Sequence, residues 1–146
     1  MNVYTIGFTK KSAETFFGLI RSSRIRTLID VRLNNASQLA GFAKKGDLTF
    51  FLREICSAEY VHIPDLTPTR ELLDPYRKGD MTWAAYQHKF LDLMAQRNVE
   101  RAISLRLLDQ GCLLCSEHEP HMCHRRLVAE YLNEASGLDL TIRHLY

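Results

Sequence analysis

The sequence has no apolar run long enough to span a bilayer, no low-complexity linker and no internal repeat. A membrane partner and a repeat array are therefore not expected. It also lacks charge of one dominant sign: the formal net charge is +2 over 146 residues. That tolerates an anionic ligand but is too mild for sequence-independent DNA binding, which needs a concentrated basic face. The opening Met1-Asn2-Val3-Tyr4-Thr5-Ile6-Gly7 has neither the basic start nor the cleavage site of a signal peptide, so a cytoplasmic location is expected. Cysteine is sparse. Four in a chain long enough to bury a full core read as reduced thiols, not as a disulfide framework. With 46% hydrophobic and 25% charged residues the composition is ordinary for a globular chain, and disorder is not indicated. A single domain over residues 1–146 is expected.

Strand and helix signals alternate along the chain. Val3 to Ile6 is a β-rich opening ended by Gly7, and Thr27 to Val31 is a second strand. Between them Ser12 caps a helix through Ser22, with Phe16, Leu19 and Ile20 on one face. A polar stretch runs from Leu33 to Gly46. Within it Phe42 is a candidate lid over the site, and Lys44 and Lys45 are read as solvated. Asp47 then caps a helix bearing Leu48, Phe51, Leu52 and Ile55. Tyr60 to Ile63 is a third strand, followed by a segment broken by Pro64, Pro68 and Pro75, with short helix around Arg70 to Tyr76. Thr82 opens an amphipathic helix whose Trp83, Tyr86 and Phe90 read as core, and Val99 to Leu108 gives another. Cys112 to Cys115 is the fourth strand, Cys123 to Glu134 a helix, and Leu140 to Ile142 the closing strand. This order implies a three-layer, Rossmann-like α/β fold with a mostly parallel sheet of about five strands. Right-handed crossovers gather the loops after Ile6, Val31, His62 and Cys115 at one sheet edge.

The segment Cys115 to Arg126 carries the densest chemistry: two thiols, three imidazoles, two carboxylates and two guanidinium groups on one strand-to-helix turn. Open α/β sheets bind ligands at such turns. Four readings compete. Cys115 near His124 and Arg125 suits a reactive thiol. A phosphatase-like or rhodanese-like loop is not supported, because the sixth residue after Cys115 is His121 rather than an arginine. Zinc is the second reading, with donors among Cys115, His118, His121, Cys123 and His124. Cys112 does not join them, since residues three apart on a strand face opposite ways. The third reading, which uses the most residues, is an anion pocket built from Arg32, Arg125 and the helix start, with Glu117 as acid–base or orienting group. Asp30 is a candidate partner for Arg32, with the alternation of strand side chains set against it; Arg70, Arg77 and Lys78 rim the same edge. In the fourth, Cys112 and Cys123 are core residues, Glu117 and Arg125 an ion pair, and the domain a binding module.

Tyr4 to Gly7, Asp30-Val31-Arg32, Cys115 with Glu117, and Cys123-His124-Arg125 together resemble the signatures of a prokaryotic family, domain of unknown function 488. The resemblance covers essentially the whole chain and implies a small α/β fold with a site at these residues. Many relatives follow the opening glycine with His-Ser; here Phe8-Thr9 stand there, and His62 is the candidate replacement.

The expected protein binds a small phosphate-bearing or nucleotide-like anion. Cys115, Glu117 and His124 are the catalytic candidates, and Gly7, Arg32, Asn34, His62 and Arg125 the binding candidates. Gly7 is expected to mark a close backbone approach or a positive φ. The alternative is a binding module supported by zinc at Cys115 and Cys123, with nucleic acid as its partner. The oligomeric state is left open.

Overall fold

In the computed structural model, which describes residues 1–35, 41–117 and 119–146, five strands form one sheet in the order β3-β2-β4-β1-β5. The strands are β1 (Asn2–Gly7), β2 (Thr27–Asp30), β3 (Glu59–His62), β4 (Gly111–Cys115) and β5 (Thr141–Leu145). Every neighbouring pair runs parallel, so the strand ends named above do share one edge. Side-chain alternation on the central strands divides the core in two. Val3, Ile29, Leu113 and Cys115 face one layer, and Tyr4, Ile6, Leu28, Cys112 and Leu114 the other.

The second face is covered by α1 (Ala13–Ser22), through Phe16, Phe17 and Ile20, and by α2 (Lys45–Phe51), which runs on into a wide turn at Leu52–Cys56. The first is covered by α3 (Arg70–Arg77), α4 (Trp83–Arg97), the short α5 (Val99–Ala102) and α7 (His124–Ala135). Helix α6 (Leu105–Leu108) leads into β4. This is the expected three-layer, Rossmann-like arrangement. Ser12 and Thr82 cap α1 and α4 as expected, accepting from the N–H groups of Thr15 and Ala85. No helix among the described residues is long and apolar enough to cross a membrane.

Three local expectations fail for physical reasons. Helix α2 starts three residues earlier, with Lys44 extended at its cap and Asp47 inside the first turn, where its charge suits the helix dipole. The helix expected over Val99 to Leu108 is broken at Ile103, whose ψ of 131° is extended, and Ser104 caps the second piece by accepting from Leu107 N–H. Phe42 is no lid. Its ring packs 5.3 Å from Phe16 and 5.7 Å from Phe17, in the α1 layer, because an apolar ring gains more there than over a polar edge. Residues 36–40 of the polar stretch lie outside the described residues.

Candidate functional site

Strands β1 and β4 are neighbours, with Gly7 opposite Cys115 in the register. The chain leaves β1 toward β2 through α1 on one face, and leaves β4 toward β5 through α7 on the other. The two connections diverge, and the crevice between them is where such sheets place ligands. Gly7 is required there because a Cβ would overlap the Glu117 carbonyl oxygen and stand 2.8 Å from Arg125 Nη1. Its role is thus the close approach, and its φ is not positive. Thr9 fastens the two loops, donating from its backbone N–H (3.1 Å) and its hydroxyl (2.8 Å) to the Ser116 carbonyl.

Cys115 ends β4, Cys123 occupies the N-cap of α7 and His124 opens that helix; all three are buried. Cys115 Sγ lies 3.6 Å from His124 Nδ1. His124 Nε2 is 2.7 Å from the Val31 carbonyl, which can only accept, so this nitrogen carries a proton and Nδ1 is the one presented to sulfur. Burial alone pushes the Cys115 thiol up. The hydrogen bond from Cys123, the charge and hydrogen bond of His124 and the Arg125 charge outweigh it and hold Cys115 well below the ordinary thiol range. For His124, burial pulls downward, but the Cys115 charge, its hydrogen bond and the Val31 carbonyl prevail and raise it. Cys123 is pushed well above its ordinary range by burial and by its charged neighbour Cys115, against the pull of Arg125. Cys115 and His124 are thus each shifted toward the charged form, and Cys123 toward the neutral thiol.

The two arginines assigned to anion binding do different work. Arg125 is completely buried and lines neither cleft described below. Its Nη1 donates to the Glu117 carbonyl and, at 3.8 Å, to Cys123 Sγ; its Nε donates to Thr5 Oγ1 at 3.3 Å. It fixes the turn and supplies positive charge from behind. The expected Glu117–Arg125 contact therefore runs through the Glu117 backbone, and Glu117, an exposed residue, lines the cleft. Arg32 forms a bidentate pair with buried Asp30 at 2.9 and 2.8 Å and donates to the Ala43 carbonyl. Asp30 and Arg32 are two residues apart in extended chain, so their side chains share a side. Tyr60 donates to the same carboxylate at 2.5 Å; burial first, then that bond, push its hydroxyl far up. The Arg32 guanidinium lies over the Phe8 ring at 5.3 Å, and its Nη1 is buried without a hydrogen-bond partner among the described residues.

A cleft of about 390 Å³ opens over these groups, lined by Phe8, Arg32, Asn34, Arg77, Cys115, Glu117 and His124. A side chamber of about 70 Å³ shares Arg77, Cys115, Glu117 and His124 and adds Tyr76, Trp83, Tyr86 and Cys123. Five of the eight site residues expected from the sequence thus meet at the cleft, with Gly7 and Arg125 behind it. His62 is not at the cleft: its Nε2 bonds to the Arg32 carbonyl at 2.9 Å, so it does not stand in for the missing histidine at position 8. That position is filled by an apolar floor. The sequence placed Arg77 only on the rim and gave no sign of Thr9, whereas Asp30, its candidate partner for Arg32, does hold that guanidinium. The sequence also gave no sign of His144, which bonds through Nδ1 to Thr5 Oγ1 at 2.7 Å. A larger cleft of about 540 Å³ lies at the opposite sheet edge among Arg21, Arg24, Arg26 and Arg106; Cys56 lines it, with its thiol donating to the Phe17 carbonyl at 3.5 Å.

Cys115, Cys123 and His124 also offer three donor atoms within 4.8 Å of one another. A zinc ion with one open position would fit that set, and the His124 bond to a backbone carbonyl is the outer support such ligands have. Cys112 faces the other layer, as expected, and His121 is exposed beside Glu119 at 3.5 Å. His118 lies outside the described residues.

Fold and site define a parallel α/β domain with a buried thiol–imidazole centre at the divergence of its central strands. Residues 12–132 match the model of the family described as "Domain of unknown function DUF488", and the chain belongs to that family. No curated protein and no solved structure matches the chain.

Proposed function

We propose that the protein is a thiol-dependent enzyme of the cytoplasm acting on a small phosphate-bearing or nucleotide-like substrate. Cys115 is the nucleophile, His124 the proton carrier, and Arg77, Arg32 and Asn34 hold the anionic group. The observation that carries this reading is the 3.6 Å approach of Cys115 Sγ to His124 Nδ1, with the other ring nitrogen locked on Val31. Such pairing activates a thiol without a separate base. Four free cysteines suit a reducing compartment.

The sixth residue after Cys115 is His121 and not the arginine of an anion-wrapping phosphatase loop, so attack is assigned to an electrophilic carbon and the phosphate to recognition. The Cys115 thiolate forms the new S–C bond, and the leaving group departs with the Nδ1 proton of His124. Neutral His124 then takes a proton from water, whose hydroxide breaks the S–C bond, and the thiolate–imidazolium pair returns. Glu117, at the rim, orients the water or the leaving group. The test is carboxymethylation by iodoacetate with inorganic phosphate or a nucleoside monophosphate as competitor. Labelling of Cys115 that phosphate slows in the native protein, and no longer slows in Arg77→Ala, supports both parts. Labelling without protection removes the anion cleft, and an unlabelled Cys115 removes the nucleophile. If Glu117→Gln leaves turnover intact, its acid–base role falls.

The three donors within 4.8 Å favour one second reading, a zinc-supported binding module with nucleic acid as partner. Native mass spectrometry separates the two. Retained zinc that disappears in Cys115→Ser and Cys123→Ser favours the module, and a metal-free mass favours the enzyme.

A further inference from the structure

The hydrolytic reading leaves Cys123 without a task, yet its surroundings are unusual for a filler residue. The Sγ atoms of Cys115 and Cys123 lie within 4.8 Å of each other, so forming a bond requires both side chains to turn toward one another. Although Cys123 occupies the N-cap of α7, it makes no side-chain capping bond, and its sulfur accepts only from the Arg125 guanidinium at 3.8 Å among the hydrogen bonds of the described residues. It opens onto the side chamber, while Cys115 lies on both the chamber and the main cleft. The remaining thiols stand apart: Cys112 faces the opposite layer, and Cys56 donates to the Phe17 carbonyl at 3.5 Å.

We propose that Cys115 and Cys123 form a dithiol couple that reduces small, carboxylate-bearing disulfides admitted by the main cleft. This rests on the same Cys115 nucleophile as the reading above and adds a resolving thiol. In the first step the Cys115 thiolate attacks one sulfur of the substrate disulfide. That S–S bond breaks, a mixed disulfide forms on Cys115, and the departing thiolate takes the Nδ1 proton of His124. In the second step Cys123 gives its proton to His124 Nδ1, and its sulfur attacks Cys115. The second thiolate leaves with that proton. The protein has lost two electrons and two protons, and the substrate has become two thiols. An external dithiol restores the pair.

The neighbours suit both halves. Arg125 Nη1 lies 3.8 Å from Cys123 Sγ and stabilises negative charge as it develops there in the second step. Arg77 and Arg32, whose Nη1 lacks a partner among the described residues, line the cleft where carboxylates of the disulfide would sit. Trp83, the single tryptophan of the chain, lines the side chamber with Cys123 and gives the couple a built-in fluorescence reporter.

The test mixes fully reduced protein with oxidised glutathione, stops the reaction in acid and reads the intact mass and the Trp83 emission. The native protein should become lighter by two hydrogens, with release of two reduced glutathiones and a shift in emission. Cys123→Ser and Cys123→Ala should both stop with one glutathione held on Cys115. A native protein that also stops at the mixed disulfide, or that stays reduced while iodoacetate still labels Cys115, overturns the couple and leaves the hydrolytic nucleophile standing. Loss of both reactions overturns the two together.

Discussion

His124 donates from Nε2 to the Val31 carbonyl at 2.7 Å, and this bond aims its second nitrogen at the Cys115 sulfur. The end of β2 thereby sets the state of a group at the end of β4, two adjacent strands of the sheet. Phe90 closes the other side of the imidazole, its ring 5.6 Å from that of His124, so the ring has little freedom to turn away.

Replacing His124 should therefore act on the thiol before anything else. In His124→Gln the imidazolium is gone, and burial, the largest influence on Cys115, is opposed only by Cys123 and Arg125. Carboxymethylation of Cys115 at neutral pH should slow by about tenfold or more. Stopped labelling followed by peptide mass spectrometry measures it, and an unchanged rate would mean that His124 only fills space.

Gly7→Ala should be severe for a steric reason. The new methyl overlaps the Glu117 carbonyl and crowds Arg125 Nη1, so β1 and the β4–α7 turn must part. A loss on the order of 3 kcal/mol is expected, since the nearer neighbour is backbone and the Arg125 guanidinium is held by its bonds to Thr5, Glu117 and Cys123. Urea denaturation gives the number.

Asp30→Asn keeps the shape of the buried pair and removes its charge. Arg32, 4% exposed, would be left as an uncompensated buried cation, and Tyr60 would lose its anionic acceptor. Breaking such a pair costs about 3–5 kcal/mol. The shift of the urea midpoint checks it, with Phe8 still beneath the guanidinium to limit the loss.

Arg77→Ala should leave folding nearly untouched, because the residue ends α3 at the surface. Protection of Cys115 by phosphate should weaken about tenfold, an amount set by one charge-assisted contact. Isothermal titration with inorganic phosphate follows it directly. An equal affinity in the two proteins would take Arg77 out of recognition.

Much of this was legible in the chain. Alternating strand and helix periodicity gave the parallel layers, and the period of two kept Cys112 away from Cys115, where a pattern match alone would pair them. The turn at Cys115 to Arg125 was legible from its load of ionisable groups. What escaped depends on backbone atoms. Arg125 at a helix start reads as an anion receptor, yet its partner is the Glu117 carbonyl, which every residue type possesses and no pattern reveals. The meeting of Cys115 with Cys123 likewise depends on how residues 116–122 return. The Cys123 N–H closes that return on the Pro120 carbonyl at 3.2 Å. Phe42 went to the α1 layer because aromatic partners were waiting there, a tertiary choice invisible in a loop sequence.

The most direct test of the central claim is the ultraviolet thiolate absorbance of the native protein as pH is lowered, with Cys115→Ser as reference. A depressed thiol stays ionised as pH falls below the ordinary thiol range of about 8.5. One thiolate, absent from Cys115→Ser, should persist well below that range and be lost only on further acidification. A native protein whose thiolate signal disappears near the ordinary range, with no difference between the two proteins, would contradict it.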